Sequence, residues 1–282
     1  MKRLLSLGLI VAALSTMAQE EIRVQQKEWA LNDAMQPAFV VDVPQTTSKD
    51  AISLWEETLV PKNFFDTFKK LPKMEKEDKE KWVIRRVVVA EISPDTLDIY
   101  TRITSAKDRI TFATLFDNNG SFIGAQSDPG TEKAQEYVHK YAVELYRQAV
   151  RNEVGELEKE LKKMKSDYSG FDRDNKKMDR KSAGKQSDID ELNDDLKGSK
   201  NILRTNMLSD SDNPSPLSGE ANKTLNEDIK KTSKEIKKAK KSVDKYEKKI
   251  DKNTSKQKHL LKDIENKEQE IKKAQEKLEN IK

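Results

Sequence analysis

Cysteine is absent from all 282 residues of the sequence. Disulfide bonds, thiolate nucleophiles and a lipid anchor on a cysteine are therefore excluded. Histidine is almost as scarce, because His139 and His259 are the only two, and neither has a second histidine or a carboxylate at metal-binding spacing beyond what chance gives in so charged a sequence. The sequence also lacks a glycine-rich phosphate loop, a nucleophile elbow and a complete calcium-binding loop. We therefore predict no catalytic residue, no metal site and no cofactor, and we expect that the protein is not an enzyme.

Long hydrophobic runs are also scarce, and the one pronounced run lies at the N-terminus. Leu4–Leu14 follows Lys2 and Arg3, and the small residue Ala18 comes shortly after the run. This is the pattern of a cleaved signal peptide, and the run is shorter than the roughly 20 residues that span a bilayer. We therefore predict a signal peptide over residues 1–18 and a periplasmic or secreted mature chain without a transmembrane span. A membrane anchor that is retained is the alternative interpretation.

Aromatic residues are nearly missing from the second half of the chain. All three tryptophans and seven of the eight phenylalanines precede residue 150, so only the first half has the side chains for a large core. Runs rich in β-branched and aromatic residues alternate there with turn signals and with helical patterns. We therefore predict an α+β head domain over residues 19–149. It should contain an antiparallel meander sheet with helices on one face, in the order β-α-β-β-β-α.

The second half is rich in charged residues, and its apolar residues recur in steps of four and three. Twelve of the sixteen positions in this series from Val150 to Leu203 are apolar, as are thirteen of the seventeen from Leu225 to Ile281. Sustained heptads with charged flanks are typical of coiled coils. We therefore expect two long helical arms that pack through these two seams.

A short polar segment with Pro214 and Pro216 separates the two heptad series. Because proline cannot continue a helix, we predict an antiparallel coiled-coil hairpin in which Leu203 faces Leu225. This register places Asn175 opposite Asn253, a polar pair that would hold the register. Pairing of the same heptads between chains, in a homo-oligomer, is the alternative. The predicted boundaries of the hairpin are arm 1 at residues 150–207, the tip loop at 208–218 and arm 2 at 219–282.

Basic residues supply the candidate binding surface. Residues 223–258 contain fourteen lysines against six acidic residues, which indicates either a solvated coiled-coil face or attraction to an anionic partner. The export signal argues against nucleic acid as that partner. The candidate anion or partner patch combines three arginines of the head with six lysines of arm 2: Arg85, Arg102, Arg109, Lys230, Lys231, Lys237, Lys238, Lys240 and Lys241.

Two functions from different classes fit these features. The first is an exported, non-enzymatic interaction or structural protein of the cell envelope. Its head would recognise or anchor to a partner, and its basic rod would act as a spacer, a binding surface or a chaperone-like cradle. An envelope protein or an anionic envelope polymer is the expected partner. The alternative is a small-ligand or lipid carrier, in which four aromatic residues of the head would line an apolar cavity rather than form a packed core: Trp55, Trp82, Phe112 and Phe116.

Overall fold

The structure, a computed structural model, describes residues 21–31, 34–60, 72–124, 128–212 and 216–282. The predicted signal peptide lies outside these residues. The chain forms two compact units. The head unit contains the residues up to Glu156 together with Ile271–Lys282, and the hairpin unit contains Leu157–Glu270.

The head unit contains one antiparallel sheet of seven strands, as the α+β prediction requires. Its neighbouring strands follow the order β1-β2-β6-β5-β4-β3, and β7 pairs with β6. The strands are β1 (Gln25–Leu31), β2 (Ala34–Pro44), β3 (Glu75–Lys76), β4 (Lys81–Val88), β5 (Thr96–Ser105), β6 (Arg109–Asn118) and β7 (Ser121–Phe122).

The predicted meander corresponds to β4, β5 and β6, and β2 joins it beside β6 rather than beside the strand that follows it in sequence. Val41 of β2 pairs with Phe112 of β6, and both side chains are buried. The two-residue strand β3 was not predicted, because it falls in a stretch rich in lysine and glutamate, a composition typical of a loop. Strand β1 was not predicted either, because only Trp29 among its residues is buried. Such polarity is common at the edge of a sheet, where one side of the strand meets water.

One face of this sheet is covered by helix α1 (Ser48–Leu59) and by the start of helix α2 (Gly130–Asp212). The Thr47 hydroxyl caps α1 by accepting from the Asp50 N–H at 3.2 Å. The sequence places Ala51, Ile52, Trp55 and Leu59 on one face of this helix, and Ala51, Trp55 and Leu59 are its buried residues. The core of the head unit therefore lies between one sheet face and these two helices.

The C-terminal residues of helix α3 (Pro216–Asn280) complete the head unit, which therefore extends beyond the predicted boundaries of 19–149. Ile281, just after α3, is buried in the same core as Val150, and the Arg147 guanidinium donates to the Ile281 carbonyl at 2.9 Å. Contacts between residues this distant in sequence cannot be deduced from local composition. For that reason the sequence assigned the C-terminal segment to arm 2 alone.

The two long helices form the predicted hairpin, although both extend further toward its tip than predicted. Helix α2 continues to Asp212 and α3 begins at Pro216, so both ends of the predicted tip loop at 208–218 are helical. A proline disfavours helix mainly at the residue before it, so α2 can extend almost to Pro214. Proline is also tolerated at the first helical position, because the N–H groups there have no acceptor within the helix.

Burial in the hairpin unit follows the predicted seam. On α2, all predicted seam positions in this unit are buried or half-buried except Tyr168 and Lys185, which are exposed. On α3, every predicted seam position in this unit is buried or half-buried. Asn206 Nδ2 donates to Asn222 Oδ1 at 3.1 Å. Because these residues lie three positions toward the tip from Leu203 and Leu225, their contact confirms the predicted alignment of the two helices.

Candidate interaction site

The three head arginines of the predicted patch are neutralised by nearby carboxylates. The Arg85 guanidinium contacts carboxylate oxygens of Glu75 and Glu77 at 3.0 and 3.1 Å. Arg102 lies 3.5 Å from Glu80, and Arg109 lies 3.4 Å from Asp108. These exposed pairs contribute little to stability, but they lower the net positive charge that a partner would meet. The arginines therefore do not form an unpaired cationic surface.

The aromatic residues proposed to line a cavity are packed against other side chains. Trp55, Phe112 and Phe116 have no accessible surface, whereas a void large enough for water would leave some. The Trp55 and Phe112 ring centroids lie 5.0 Å apart in an edge-to-face contact, and Trp55 Nε1 donates to Thr101 Oγ1 at 2.9 Å. Trp82 is also buried. These contacts are those of a packed core, so among the described residues they give no support to a ligand cavity.

Two buried tyrosines join α2 to the backbone of α1. The Tyr141 hydroxyl donates to the Ala51 carbonyl at 2.7 Å, and the Tyr137 hydroxyl donates to the Thr58 carbonyl at 3.1 Å. Burial raises the pKa of Tyr141 well above its usual value, and burial, with a smaller effect of Glu91, raises the pKa of Tyr137 to about 12. Both hydroxyls therefore remain protonated donors across the physiological range.

We expect the head unit to lose stability between about pH 10 and 12. Tyrosines of an unfolded chain release their protons near a pKa of 10, whereas the raised pKa of Tyr137 keeps its proton bound up to about pH 12 in the folded chain. The folded state then binds more protons than the unfolded state, so this stabilisation is complete below pH 10 and declines above it. Tyrosinate absorbance and near-ultraviolet circular dichroism in an alkaline titration will measure the loss.

The double variant Tyr137→Phe and Tyr141→Phe provides the comparison for this titration. Without the two buried hydroxyls, unfolding should depend less on pH across the same range. Titration of both tyrosines near pH 10 in a head that stays folded would contradict the packing described above.

The opposite face of the sheet carries a second, smaller apolar cluster. Trp29, Ala38 and Leu115 are buried in it, and four half-buried residues pack around them: Val40, Tyr100, Ala113 and Phe122. All seven belong to strands, so none of the described helices contributes to this cluster. In the sequence, this cluster is indicated by β6, which has apolar residues on both of its faces. This face is the candidate recognition surface of the head unit.

In the hairpin unit, the predicted Asn175–Asn253 pair is replaced by another polar contact. Asn175 Nδ2 donates to Gln257 Oε1 at 3.2 Å, and Gln257 is the next seam residue after Asn253. The glutamine side chain is one methylene longer than that of asparagine, so it can reach across the seam. Asn175 Oδ1 is buried without a hydrogen-bond partner. A polar layer of this kind favours one register over others at a cost in stability.

The six predicted lysines of α3 are all exposed. They do not share one direction, however, because the seam fixes how α3 is turned. Lys241 lies directly opposite the seam, and Lys240 lies beside the seam. Lys231 and Lys238 lie about 50° to one side of the outward direction, and Lys230 and Lys237 lie about 50° to its other side. A count of charges along the sequence cannot separate these positions.

Two further observations concern the described part of the chain as a whole. No helix in it is both long and apolar enough to cross a bilayer. It also contains no group of three or more histidine, aspartate or glutamate side chains arranged to hold a metal ion. No protein-family model matches this chain, and a comparison with curated proteins finds no significant match.

Proposed function

We propose that the chain is an exported, non-catalytic interaction protein of the cell envelope, in which the hairpin unit presents a charged binding surface and the head unit recognises or anchors to a partner. The observation that carries this proposal is the distribution of apolar and charged side chains in the hairpin unit. Several apolar side chains of its seam, such as Ile189, Ile236 and Ile264, are buried. The remaining faces are exposed and charged, and they are available to another molecule.

Export is supported by the signal features of residues 1–18. Expression of the full chain in a bacterium with two membranes should yield a periplasmic protein that begins at Gln19, as measured by intact mass. The variant Ala18→Phe should remain uncleaved, because the peptidase requires a small residue at this position. A cytoplasmic protein that retains residues 1–18 would contradict the export part of the proposal.

The interaction part can be tested by photo-crosslinking in living cells. A photoreactive amino acid is placed at Lys248, on the exposed side of the hairpin unit, or at Val88, which is 53% exposed in the head unit. We expect a discrete, light-dependent adduct with a macromolecule of the envelope at one or both positions. The same variants without irradiation are the control. The absence of any adduct at both positions would contradict an interaction role.

A further inference from the structure

Seven lysines form one continuous row along the side of α3 that faces away from α2. Seam residues such as Ile236 and Val243 face α2, and each residue of a helix is rotated by about 100° from the one before it. Residues two and five positions after such a seam residue therefore point outward. Between residues 231 and 252 every such position holds lysine. This outward lysine row consists of Lys231, Lys234, Lys238, Lys241, Lys245, Lys248 and Lys252.

The row is exposed, unpaired and limited in length. All seven side chains are exposed, and none of them forms an ion pair within the described part of the chain. The next outward positions hold Glu227 and Ser255, so the row ends at both sides. At 1.5 Å per residue its length is about 31 Å. Half of the fourteen lysines in residues 223–258 lie in this one row.

The cationic surface is also narrow. Asp244 and Asp251 lie on the flank of α3 about 70° from the centre of the row, so a flat anionic bilayer pressed against the row would bring both carboxylates close to its own charge. The described residues from 231 to 252 include no exposed large hydrophobic side chain that could insert into lipid, and peripheral membrane helices depend on such insertion. A single extended polymer chain meets only a narrow strip of this surface: Asp244 is part of the lining of the groove along the row, whereas Asp251 is not.

The charges on α2 differ along the length of the row, so the row has two parts with different electrostatic surroundings. On α2, acidic residues from Asp188 to Asp195 lie at the level of the Lys234 to Lys240 portion of α3, and they weaken the positive field there. At the level of the other part, α2 is itself basic, and a shallow groove on it is lined by Arg173, Lys176, Lys177, Arg180 and Lys181. The strongest positive potential therefore lies around Lys241–Lys252, where four lysines of the row line a second groove together with Lys249 and one acidic residue, Asp244.

We propose that the outward lysine row is the binding site for a linear polyanion, a single chain that carries carboxylate or phosphate groups at regular intervals. Binding would release the counterions condensed on the polymer, so affinity would fall steeply with salt. This inference rests on the proposed function, and it specifies the class of partner and the surface that binds it.

The test compares two quadruple variants of the full mature chain. Each variant loses four positive charges from α3. The row variant carries Lys241→Gln, Lys245→Gln, Lys248→Gln and Lys252→Gln. The matched control carries Lys230→Gln, Lys237→Gln, Lys240→Gln and Lys258→Gln, all exposed positions outside the row. Glutamine and lysine have similar helix propensities, so both variants should keep the hairpin. Long-chain inorganic polyphosphate and poly-L-glutamate are the probes.

We expect the wild-type chain to bind at least one probe at about 0.1 M salt, and the row variant to bind it about a hundredfold more weakly. Each lost phosphate contact removes about 0.7 to 0.9 from the slope of log affinity against log salt, so the slope should fall by about three. The matched control should stay within about threefold of wild type. A preference for one probe identifies phosphate or carboxylate as the recognised group.

Three results would overturn the inference. The first is an equal loss in both variants, which would mean that net charge rather than the row determines binding. The second is the failure of wild type to bind either polymer. The third is tighter binding to vesicles of phosphatidylglycerol and phosphatidylcholine than to both polymers, with the same dependence on the row. Each leaves the proposed interaction role intact if the photo-crosslinked adducts persist, whereas loss of those adducts would refute that role itself.

Discussion

Replacement of Trp55 by alanine is expected to destabilise the head unit by about 3 to 5 kcal/mol. Trp55 is fully buried, and its ring centroid lies 4.6 Å from that of Tyr141 and 5.0 Å from that of Phe112. The substitution would leave a large void between α1, α2 and the sheet, and it would also leave Thr101 without the indole as donor. Since a domain of this size is stable by only about 5 to 15 kcal/mol, the substitution would remove a large fraction of the stability of the head unit.

Urea unfolding followed by near-ultraviolet circular dichroism will measure this loss. Met35→Ala is the matched control, because Met35 lies on β2 of the same unit and is 58% exposed. It should change the free energy of unfolding by less than about 0.5 kcal/mol. Thr101→Val should give an intermediate loss, about 1 to 3 kcal/mol, because the buried indole N–H would then lack an acceptor. Equal midpoints for wild type and Trp55→Ala would show that α1 does not pack on the sheet as described.

In the hairpin unit, Ile189→Ala is expected to destabilise helix pairing by about 2 to 5 kcal/mol, whereas Ile202→Ala should have almost no effect. Both isoleucines lie on α2, but Ile189 is 2% exposed in the seam and Ile202 is 56% exposed. The same change of side chain is therefore made in two environments on one helix. Alanine is also the better helix former, so Ile202→Ala should be neutral or slightly stabilising.

Backbone hydrogen exchange can resolve this effect within the hairpin unit. A loss of about 2 kcal/mol corresponds to roughly thirtyfold faster exchange through local opening, and the acceleration should appear on both helices around Ile189. Similar exchange in the two variants would contradict the seam. A melting temperature that rises with protein concentration would indicate pairing between chains instead of within one chain.

The hairpin could be predicted from the sequence because its determinants are local. Helix geometry turns a spacing of three and four residues into one apolar face, and two such faces joined by a short break have few ways to be buried. The alignment of Leu203 with Leu225 is confirmed by the contact between Asn206 and Asn222. The apolar face of α1, with Trp55 at its centre, was found in the same way.

The outward lysine row could be identified only by combining the sequence pattern with the observed packing of α3 against α2. The predicted patch chose lysines by their density along the chain, and three of its members, Lys230, Lys237 and Lys240, lie outside the outward row. The direction in which a side chain of a helix points can be related to function only when the face of that helix that packs against the neighbouring helix is known. The seam supplies that direction, and it separates seven aligned lysines from neighbours of identical chemistry.

Composition and periodicity in the sequence alone determined the division into an aromatic head and a charged hairpin, the two seams and the break between them. Only the tertiary structure decided that β2 lies beside β6, that Arg85 meets Glu75 and Glu77, and that Ile281 enters the core of the head unit. Those contacts join residues far apart in the chain, or depend on the orientation of neighbouring strands. These contacts are stabilised by burial and charge pairing that involve many parts of the fold. A short window of the sequence does not contain that information.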